Sequence, residues 1–392
     1  MGTWCNLPTE ILIQIFDYLE PVFLLKTVAL VCERFKSIIS DGDYYRLCYY
    51  QAVWSRFPLI EDVPMLRHKG KISCPELKEL GKRLEEVCKR WSSPKPVQKF
   101  YSSYGTVVDA VHILKNTSIC AVGTRHKCVD LWDVRDAPRV VSTMASAHNG
   151  WVSCLDSYEP ETFFSGGWDS VVTVWKVREH SCEHLWSTRC RRGVMSIASR
   201  PDIVAVATFS PALSLMYQRC AMISKHLIHQ KAIVNVKLAG NHVMTVARDR
   251  CLNIFDLRVL KTVERLYVTE RFQWPKCLAI KDNIVFIGDT DGNVHLVDKS
   301  QHFQRFQTIQ VSEPNSQIAA ICPDQATFVC GGSDRTLRVI APTKKHFVIK
   351  EIAVGHEITS MSSEHEILAI GKTNGYVEVY KPDRNSDESD DE

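Results

Sequence analysis

The sequence of 392 residues lacks a long apolar run, which argues against a membrane-spanning protein. Its longest apolar stretch, Val22 to Cys32, is interrupted by Lys26. A helix that crosses a bilayer needs about 20 apolar residues, so this stretch is too short. The opening residues, Met1 to Trp4, have no basic segment followed by an apolar one, and no signal peptide is expected. We therefore expect a soluble protein.

Motifs of metal sites and catalytic centres are also missing. There is no H-E-x-x-H, no G-x-S-x-G and no C-x-x-C among the fifteen cysteines. The cysteines are odd in number and spread from Cys5 to Cys330, which predicts reduced, buried thiols rather than disulfides. Gly371 to Thr373 resembles the end of a phosphate-binding loop, but Glu366 stands where the first glycine is required. We expect no metal, no cofactor and no catalysis by this chain.

The charges nearly balance, with 48 basic and 45 acidic residues and a formal net charge of +3. This balance gives no whole-chain reason to expect a nucleic-acid-binding protein. Acidic side chains concentrate after Pro382, where no apolar residue follows, so residues 383–392 are expected to form a disordered acidic tail. Ser386 and Ser389 precede acidic residues and are candidate kinase sites; a merely solvated tail is the alternative.

What the sequence does contain is an internal repeat. An Asp-like turn residue stands six positions before a bulky residue seven times, and the bulky residues follow one another at intervals of 39 to 43. The clearest copy, Trp151 to Arg178, predicts three short strands, and Glu183 to Ser187 predicts a fourth. Four strands at this period are typical of a propeller blade, so the sequence predicts an all-β, seven-bladed β-propeller. The turn positions are His126, Asp169, Ser210, Asp249, Asp291, Asp334 and Asn374.

These repeats resemble WD40 repeats, with Trp132-Asp133 as the literal Trp-Asp pair and Gly355-His356 as the literal Gly-His pair. The resemblance covers residues 96–382. In that family a blade is often tied by a network of His, Ser or Thr, Asp and Trp side chains, in which the Asp holds the imidazole and the Trp donates its indole N–H. Only one repeat carries the complete set. The resemblance implies this network at His148, Ser165, Asp169 and Trp175.

Residues before 96 follow a different period. Apolar side chains three and four apart from Ile11 to Leu19 predict one helix, which begins at Pro8-Thr9 and ends at Glu20-Pro21. A second helix is expected from Val22 to Val31, and a third after it. A helical cluster this short has a very small core of its own, so we expect it to need a partner.

This N-terminal segment resembles an F-box in Leu7-Pro8-x-Glu10-Ile11, Tyr18-Leu19 and Val31-Cys32-x-x-Phe35. The resemblance implies docking to a Skp adaptor, and through it to a cullin and a RING subunit, by helix-in-groove contacts. The alternative is a private three-helix cap on the propeller. The residues implied to contact or support the adaptor interface are Leu7, Pro8, Ile11, Ile15, Leu19, Val31, Cys32 and Phe35.

Four segments are predicted: an α-helical F-box over 4–54, a helical linker arm over 55–95, the propeller over 96–382 and the tail over 383–392. In the arm, a capping box at Ser73 to Glu76 opens a helix, Pro75 to Trp91, with one apolar seam. A dimeric coiled coil is the alternative for this helix. Val97 to Tyr101 predicts an extra strand that completes the last blade and closes the ring.

In this fold the turns and the blade-linking loops emerge on one face. The first four repeats place aromatic residues and arginines there, while later repeats place Asp289, Asp291, Glu313 and Glu357. We expect a basic half-face that binds an acidic or phosphorylated protein substrate, because guanidinium groups bind phosphate and aromatic rings anchor peptides. Nucleic-acid binding and plain solvation of the charges are alternatives. The predicted substrate-binding residues are Arg125, Trp151, Trp168, Arg191, Arg192, Phe209 and Arg248.

An adaptor-docking unit joined to a recognition platform predicts the substrate-recognition subunit of a Skp-cullin-F-box ubiquitin ligase. Such a subunit promotes ubiquitination and proteasomal degradation by proximity, with no catalytic side chain. The alternative is a scaffold that acts outside a ligase; an enzyme or a nucleic-acid-binding module is more distant. We expect the protein in the cytoplasm, the nucleus or both.

Overall fold

The computed structural model describes residues 7–16, 18–19, 27–40, 98–178, 181–217, 221–270, 272–300, 302–324, 327–341, 347–364 and 367–381. Two compact units divide the chain: Met1–Ser92 with Pro342–Lys345, and Ser93–Ala341 with His346–Glu392. The predicted arm helix and the predicted acidic tail lie outside the described residues. The four segment boundaries therefore stay predictions.

The described residues of the N-terminal unit form two short helices and one 3₁₀ turn. Helix α1 spans Thr9–Phe16, the 3₁₀ turn Val28–Leu30 and helix α2 Glu33–Ser40. Of the predicted second helix, the described part holds only the 3₁₀ turn, and the rest lies outside the described residues. Within the described ranges, no helix is long and apolar enough to cross a membrane. The small core of this unit consists of Leu12, Phe16, Val28, Phe35, Ile38 and Ile39.

The second unit is a seven-bladed β-propeller, which confirms the predicted fold class. Each blade is a four-stranded antiparallel sheet. Blades 1 to 4 consist of β2–β5 (Val108–Ile113, Ile119–Thr124, Val129–Asp133, Arg139–Met144), β6–β9 (Val152–Ser157, Thr162–Gly167, Val171–Val177, Cys182–Arg189), β10–β13 (Val194–Ser199, Val204–Thr208, Ala212–Tyr217, Ala221–Leu227) and β14–β17 (Ile233–Ala239, His242–Ala247, Cys251–Asp256, Lys261–Tyr267).

Blades 5 to 7 complete the ring. They consist of β18–β21 (Pro275–Lys281, Ile284–Asp289, Asn293–Asp298, Gln304–Gln310), β22–β25 (Ile318–Pro323, Phe328–Gly332, Thr336–Ala341, Phe347–Ala353) and β26–β28 (Ile358–Glu364, Ile367–Lys372, Tyr376–Tyr380) with β1 (Gln98–Tyr101). The first strand of each blade contacts the first strand of the next, and β26 contacts β2.

Burial explains why the second strand of a blade reads as a continuous apolar run rather than an alternating one. All six residues of β7 and all six of β19 are buried, because both faces of each strand are covered by neighbouring blades. The outer strand β17 is mostly exposed and carries charged residues between its apolar ones. The core therefore lies between the blades, and each blade depends on its neighbours.

Strand β1 pairs with β28 and supplies the fourth strand of blade 7, with Phe100 opposite Val377. The Phe100 ring stacks on Trp132 of blade 1, with centroids 4.3 Å apart. The first strand of blade 7 also contacts blade 1 through hydroxyl groups: Ser360 Oγ accepts the Val111 N–H at 3.1 Å. The ring is thus closed by chain segments that are distant in sequence. Strand β1 covers the edge of β28 that would otherwise be unpaired.

Every blade carries a β-bulge at the second residue of its first strand. The residue in the bulge has no ladder partner, and such a bulge redirects its side chain. Because each first strand begins next to a turn between a second and a third strand, the seven bulges lie close to one face of the ring. The bulged residues are Asp109, Ser153, Met195, Val234, Lys276, Ala319 and Thr359.

Candidate functional site

In blade 2 the structure joins the four residues of the predicted network in one hydrogen-bonded chain. His148 Nδ1 lies 3.1 Å from both carboxylate oxygens of Asp169. His148 Nε2 lies 2.7 Å from Ser165 Oγ. The indole Nε1 of Trp175 donates to the same Oγ at 2.8 Å. This network of hydrogen bonds runs from the blade core to the turn that carries Trp168.

The donor and acceptor in each hydrogen bond of this network follow from its two end groups, the Trp175 indole and the Asp169 carboxylate. An indole N–H can only donate, so Ser165 accepts from Trp175 and gives its own proton to His148 Nε2. His148 is therefore neutral, with its proton on Nδ1 and donated to Asp169. Burial lowers the pKa of His148 below its ordinary value, and Asp169 partly offsets this effect. Asp169 also accepts the Asn149 and Val171 N–H groups at 2.7 and 3.1 Å, which fixes the turn.

Blade 4 contains three members of the same network, which the sequence analysis missed. His229 Nδ1 lies 3.0 Å from Asp249, and its Nε2 lies 2.9 Å from Thr245 Oγ1. Phe255 stands where blade 2 has Trp175, so the indole donor is absent. Burial acts to raise the pKa of Asp249, but hydrogen bonds from His229 and from backbone N–H groups lower it overall. The signal was readable: His229 precedes Asp249 by 20 residues, as His148 precedes Asp169 by 21.

Blade 7 uses other chemistry at the same place. His356, from the literal Gly-His pair, is exposed, and Val354 occupies the position equivalent to His148 and His229. The Val354 carbonyl accepts a 2.7 Å hydrogen bond from buried Lys372, whose ammonium lies 2.6 Å from the Glu378 carboxylate. Lys372, the lysine of the motif that resembles a phosphate-binding loop, is thus a structural residue inside the blade.

A ring of seven backbone hydrogen bonds defines one face of the propeller, which we call the turn face. In each blade the residue before the turn position donates its N–H to a carbonyl just before the first strand. The scaffold is therefore the same in all seven blades, and only the side chains differ. The donor and acceptor pairs are Arg125 to Val107 (3.1 Å), Trp168 to Trp151 (2.9 Å), Phe209 to Gly193 (2.8 Å), Arg248 to Ala232 (3.0 Å), Thr290 to Trp274 (3.2 Å), Ser333 to Gln317 (3.1 Å) and Thr373 to Glu357 (3.1 Å).

Five of the predicted substrate-binding residues lie in a continuous row on this face, and Trp274 extends the row. We call Arg125, Trp151, Trp168, Phe209, Arg248 and Trp274 the arc. The Arg125 guanidinium lies over Trp151 at 4.6 Å, and the Arg248 guanidinium lies 5.3 Å from Phe209 and 5.7 Å from Trp274. These distances suit cation–π contacts. Between the two arginines, the Trp168 centroid lies 6.3 Å from Trp151 and 6.0 Å from Phe209.

The rings of the arc are half exposed, at 46% for Trp151 and Trp168 and 40% for Phe209. Gly193 allows the Trp168 ring to pack closely against the backbone, because a Cβ at this position would lie only 3.3 Å from the indole ring. A large aromatic side chain that is already ordered loses little freedom when a partner binds. The arc is therefore a preorganised apolar surface with a guanidinium group near each end.

The other predicted residues of this face do not join the arc. Arg191 and Arg192 are exposed, and among the described residues neither has a hydrogen bond or an ion pair. The prediction of Asp289 as an acidic surface residue was wrong: its side chain is fully buried and accepts from His295 Nε2 at 3.1 Å. The carboxylate of Asp289 also accepts backbone N–H groups, so hydrogen bonds inside blade 5 stabilise its charge.

The predicted adaptor-binding residues fall into three groups in the N-terminal unit. Ile11 and Val31 are exposed, at 40% and 65%, and Pro8 is also exposed. Phe35 is buried against Phe16, with ring centroids 5.2 Å apart, so it supports the core rather than a surface. The third group is half-buried: Leu7, Leu19 and Cys32 pack partly on the core, and Ile15 is half-buried as well.

Two further apolar side chains of this unit are strongly exposed, Tyr18 at 92% and Leu30 at 78%. The sequence analysis did not assign Leu30 a role, although it directly precedes Val31. Arg34 Nη2 donates to the Leu7 carbonyl at 2.7 Å and ties the start of α1 to α2. Sequence reasoning missed Arg34 because a side-chain to backbone contact over 27 positions leaves no periodic signal.

Among the residues that the structure describes, no group of three or more His, Cys, Asp or Glu side chains is arranged to hold a metal ion. The buried thiols have raised pKa values because burial disfavours the thiolate; for Cys120 and Cys154 the pKa rises to about 12. Thiols of this kind are poor nucleophiles and poor metal ligands.

Family models match the two units separately, and two relatives match most of the chain. An F-box-like family model matches residues 4–50, and a WD domain, G-beta repeat model matches residues 139–176. The chain is 24% identical to F-box/WD repeat-containing protein 9 of Bos taurus over 353 residues, 86% of this chain and 74% of the relative. It is 23% identical to F-box/WD repeat-containing protein mec-15 of Caenorhabditis elegans over 340 residues, 80% of this chain and 79% of the relative.

A solved structure also resembles the chain. A chain in the crystal structure of the Mitotic Checkpoint Complex superposes with a TM-score of 0.64 at 13% identity, over 74% of this chain and 94% of that chain. A likeness at this identity concerns the fold alone.

Proposed function

Since the chain is an F-box and WD-repeat protein, we propose that it is the substrate-recognition subunit of a Skp-cullin-F-box ubiquitin ligase. The F-box binds a Skp-type adaptor, which links the chain to a cullin and a RING subunit. The propeller binds the protein to be ubiquitinated and then degraded by the proteasome. The chain acts in the cytoplasm, the nucleus or both. It positions the substrate for ubiquitination and supplies no catalytic side chain. The observation that carries the proposal is the presence of both modules in one chain.

Exposed apolar residues of the N-terminal unit support the adaptor-binding part. Ile11, Leu30 and Val31 leave apolar surface uncovered, and the core formed by the described residues of this unit is small. A unit this small gains stability when a partner covers such side chains. Helices that offer protruding apolar residues bind in a partner's groove. We assign the adaptor contacts to these residues and to Leu7, Pro8, Ile15 and Leu19.

The arc supports the substrate-binding part. It combines ordered aromatic rings with guanidinium groups, and these residue types dominate binding energy at protein interfaces. Arginine binds phosphate and carboxylate through two parallel hydrogen bonds. We assign substrate binding to the arc, with an acidic or phosphorylated segment of the substrate as the ligand. Arg191 and Arg192 act at its margin, as exposed charges that attract such a segment.

Affinity purification of the tagged full chain tests the ligase assignment. The expected result is recovery of the Skp-type adaptor together with cullin and RING subunits. A known F-box protein, purified in parallel, provides the positive control. If the control recovers these subunits and this chain does not, the ligase assignment fails and a scaffold that acts outside a ligase becomes the better assignment.

Variants of the N-terminal unit locate the adaptor interface. Leu7→Ala with Pro8→Ala should abolish adaptor binding and leave propeller partners bound, because losing one buried leucine contact costs about 2 to 5 kcal/mol. Leu7 also packs on the helical core, so Val31→Ala, which removes an exposed side chain, serves as a second variant that leaves the unit folded. Leu185→Ala, at an exposed apolar residue of outer strand β9, is the matched control. Unchanged adaptor affinity in both variants would place the contact elsewhere.

A further inference from the structure

Two residues of the arc directly precede a turn aspartate that a buried histidine binds. In each case the histidine Nδ1 lies within 3.1 Å of both carboxylate oxygens, and the carboxylate accepts two backbone N–H groups as well. The two histidine–aspartate pairs, which we call the turn pairs, are His148 with Asp169 in blade 2 and His229 with Asp249 in blade 4. Because Trp168 and Arg248 are the preceding residues, each pair fixes the backbone from which an arc side chain projects.

The other five blades form without such a pair. Their turn residues are His126, Ser210, Asp291, Asp334 and Asn374. Among the described residues, no histidine side chain forms a hydrogen bond to any of these five; Asp291 instead accepts Gln273 Nε2 at 2.5 Å, and Asp334 pairs with Arg338. All seven blades nevertheless have four antiparallel strands and the same backbone hydrogen bond at the turn. A turn pair is therefore not required to build a blade, and its presence in blades 2 and 4 calls for another reason.

The two turn pairs lie on either side of blade 3, whose arc residue is Phe209. Among the described residues, the hydroxyl of the blade 3 turn residue, Ser210, bonds only to Thr208 and Ala212 of the same turn. The Phe209 ring packs between its neighbours: its centroid lies 6.0 Å from that of Trp168, and the Arg248 guanidinium lies 5.3 Å away. Phe209 is thus oriented by two side chains whose own turns are each held by a histidine.

We propose that His148 and His229 are positioning residues for substrate binding: through the turn pairs they hold Trp168 and Arg248 on the two sides of Phe209. The inference rests on the proposed function, because the arc is the proposed substrate site. Ordering a free side chain when a partner binds lowers affinity, by about fivefold for each large side chain. The turn pairs order these side chains before a partner binds. The complete network in blade 2 then presents an ordered ring as well as stabilising the blade.

The two ring nitrogens of His148 have different partners, so the two roles can be separated. Nδ1 bonds to Asp169, and Nε2 lies 2.7 Å from Ser165 Oγ. An asparagine amide nitrogen takes the place of histidine Nδ1, and a glutamine amide nitrogen takes the place of Nε2. His148→Asn therefore keeps the bond to Asp169 and loses the one to Ser165, whereas His148→Gln does the reverse. Each variant loses one buried hydrogen bond, so their losses of stability should be similar.

Fluorine NMR of the full chain labelled with 5-fluorotryptophan reports the state of the Trp168 ring directly. Trp168→Phe identifies its resonance among those of the nine tryptophans. Phenyl phosphate, which offers a ring to the arc and an anion to Arg248, is the binding probe. In the wild type and in His148→Asn, Trp168 should give one resonance that moves as phenyl phosphate is added. In His148→Gln the resonance should move toward that of the denatured chain, and phenyl phosphate should bind about fivefold more weakly.

Blade 4 provides a second pair of variants, because His229 Nε2 lies 2.9 Å from Thr245 Oγ1. His229→Gln should weaken phenyl phosphate binding, and His229→Asn should not. The expected loss is smaller than in blade 2, about twofold, since Arg265 also binds Asp249 at 2.9 Å. Arg338→Gln removes the partner of the blade 6 turn residue and is the matched control, which should change neither readout.

Equal effects of the Asn and Gln variants at His148 overturn the inference, because a purely structural role depends on the number of bonds lost and not on which nitrogen is replaced. An unchanged Trp168 resonance in His148→Gln, or no response of the wild type to phenyl phosphate, overturns it as well. The adaptor purification described above reports on the ligase assignment and should be unaffected by all these variants. If it fails while phenyl phosphate binding still depends on the turn pairs, the inference stands for a protein of another role.

Discussion

The two halves of the turn face share one scaffold and differ in chemistry. All seven blades make the same backbone hydrogen bond at the residue before the turn position. Blades 1 to 4 present Arg125, Trp168, Phe209 and Arg248 from this position, whereas blades 5 to 7 present Thr290, Ser333 and Thr373. The difference between the halves therefore lies in the side chains and not in the backbone.

In the second half of the turn face, two side-chain hydroxyl groups form hydrogen bonds with the backbone. Thr290 Oγ1 accepts the Trp274 N–H at 3.3 Å, and Ser333 Oγ accepts the Gln317 N–H at 3.0 Å. Among the described residues, the large side chains of the first half make no such bond to the backbone; they stack on one another, and Arg125 also pairs with Asp109. The second half thus uses its hydroxyl groups within the ring, and the first half leaves its large side chains at the surface.

Ser165→Ala tests whether the shared scaffold in the first half depends on the blade 2 network. The change leaves the buried indole of Trp175 and the Nε2 of His148 without partners. An unsatisfied buried polar group costs about 1 to 3 kcal/mol, and two such groups result, so the free energy of unfolding should fall by about 2 to 6 kcal/mol. Denaturant unfolding monitored by circular dichroism gives this value.

Thr245→Val is the matched comparison in blade 4. It removes the partner of His229 Nε2 only, since Phe255 has no indole, and should cost about 1 to 3 kcal/mol. An equal loss in both variants would mean that the hydrogen bond from Trp175 contributes nothing beyond the bond between His148 and Ser165.

Arg125→Ala with Arg248→Ala removes the charge that distinguishes the first half. Arg125 lies over Trp151 and Arg248 over Phe209, so both variants act within the arc. Charge-assisted hydrogen bonds contribute about 1.5 to 3 kcal/mol each, so affinity for a captured substrate should fall by about one hundredfold or more. Binding is measured with substrate before and after phosphatase treatment.

Arg178→Ala with Arg258→Ala is the control for that pair, because both arginines form ion pairs in loops after the third strands, away from the turn face. If neither the arginine pair nor phosphatase changes binding while the protein remains folded, the basic half-face is ordinary solvated surface. Substrate recognition then belongs to another side of the propeller.

Trp168→Ala removes the central ring of the arc and leaves its charges in place. Truncating a central aromatic residue at an interface typically costs about 2 kcal/mol or more, which is roughly a thirtyfold loss of affinity. Folding should be nearly unaffected, since the ring is half exposed. Thr373→Ala, at the equivalent position of blade 7, should leave affinity unchanged. A loss of similar size in Thr373→Ala would mean that both halves contact the substrate.

The architecture could be predicted from the sequence because it repeats. One period of about 40 residues specifies the blade, and Asp169 and Asp249 both stand at predicted turn positions that the structure uses. The predicted arc residues came from the same frame. Asp109, Lys276 and Trp274 did not, because bulges and blade-linking loops place them, and such placement depends on contacts between distant segments. A repeat frame says which residues are equivalent, not which of them meet.

Local motifs were the less reliable signal. The literal Gly-His pair directed attention to His356, which is exposed, while His229 supplies a network from a segment without that motif. Asp289 has the sequence context of an exposed acid but is buried, since His295 and backbone N–H groups satisfy it. Burial and partner geometry decide such cases, and a single sequence contains neither.

The smallest expected effect concerns pH and separates the halves by their turn chemistry. Blade 2 fixes its turn through neutral His148, whose pKa burial holds below the ordinary value of 6.5. Since the unfolded chain then binds protons more readily than the folded one, this stability is present above pH 6.5 and is lost as pH falls below it. The turn of blade 6 relies instead on the ion pair between Asp334 and Arg338 and uses no histidine.

Hydrogen exchange at single amides measures this difference, after correction for the intrinsic rate at each pH. Between pH 7.5 and pH 5.5 the amides of Asn149 and Val171, which bond to Asp169, should lose up to about tenfold in protection, since one pKa unit corresponds to about 1.4 kcal/mol. The Thr336 amide, which bonds to Asp334, should lose none. A uniform loss across both blades would indicate global acid destabilisation instead. A gain in protection at Asn149 would mean that protonated His148 binds Asp169 more strongly than burial opposes its charge.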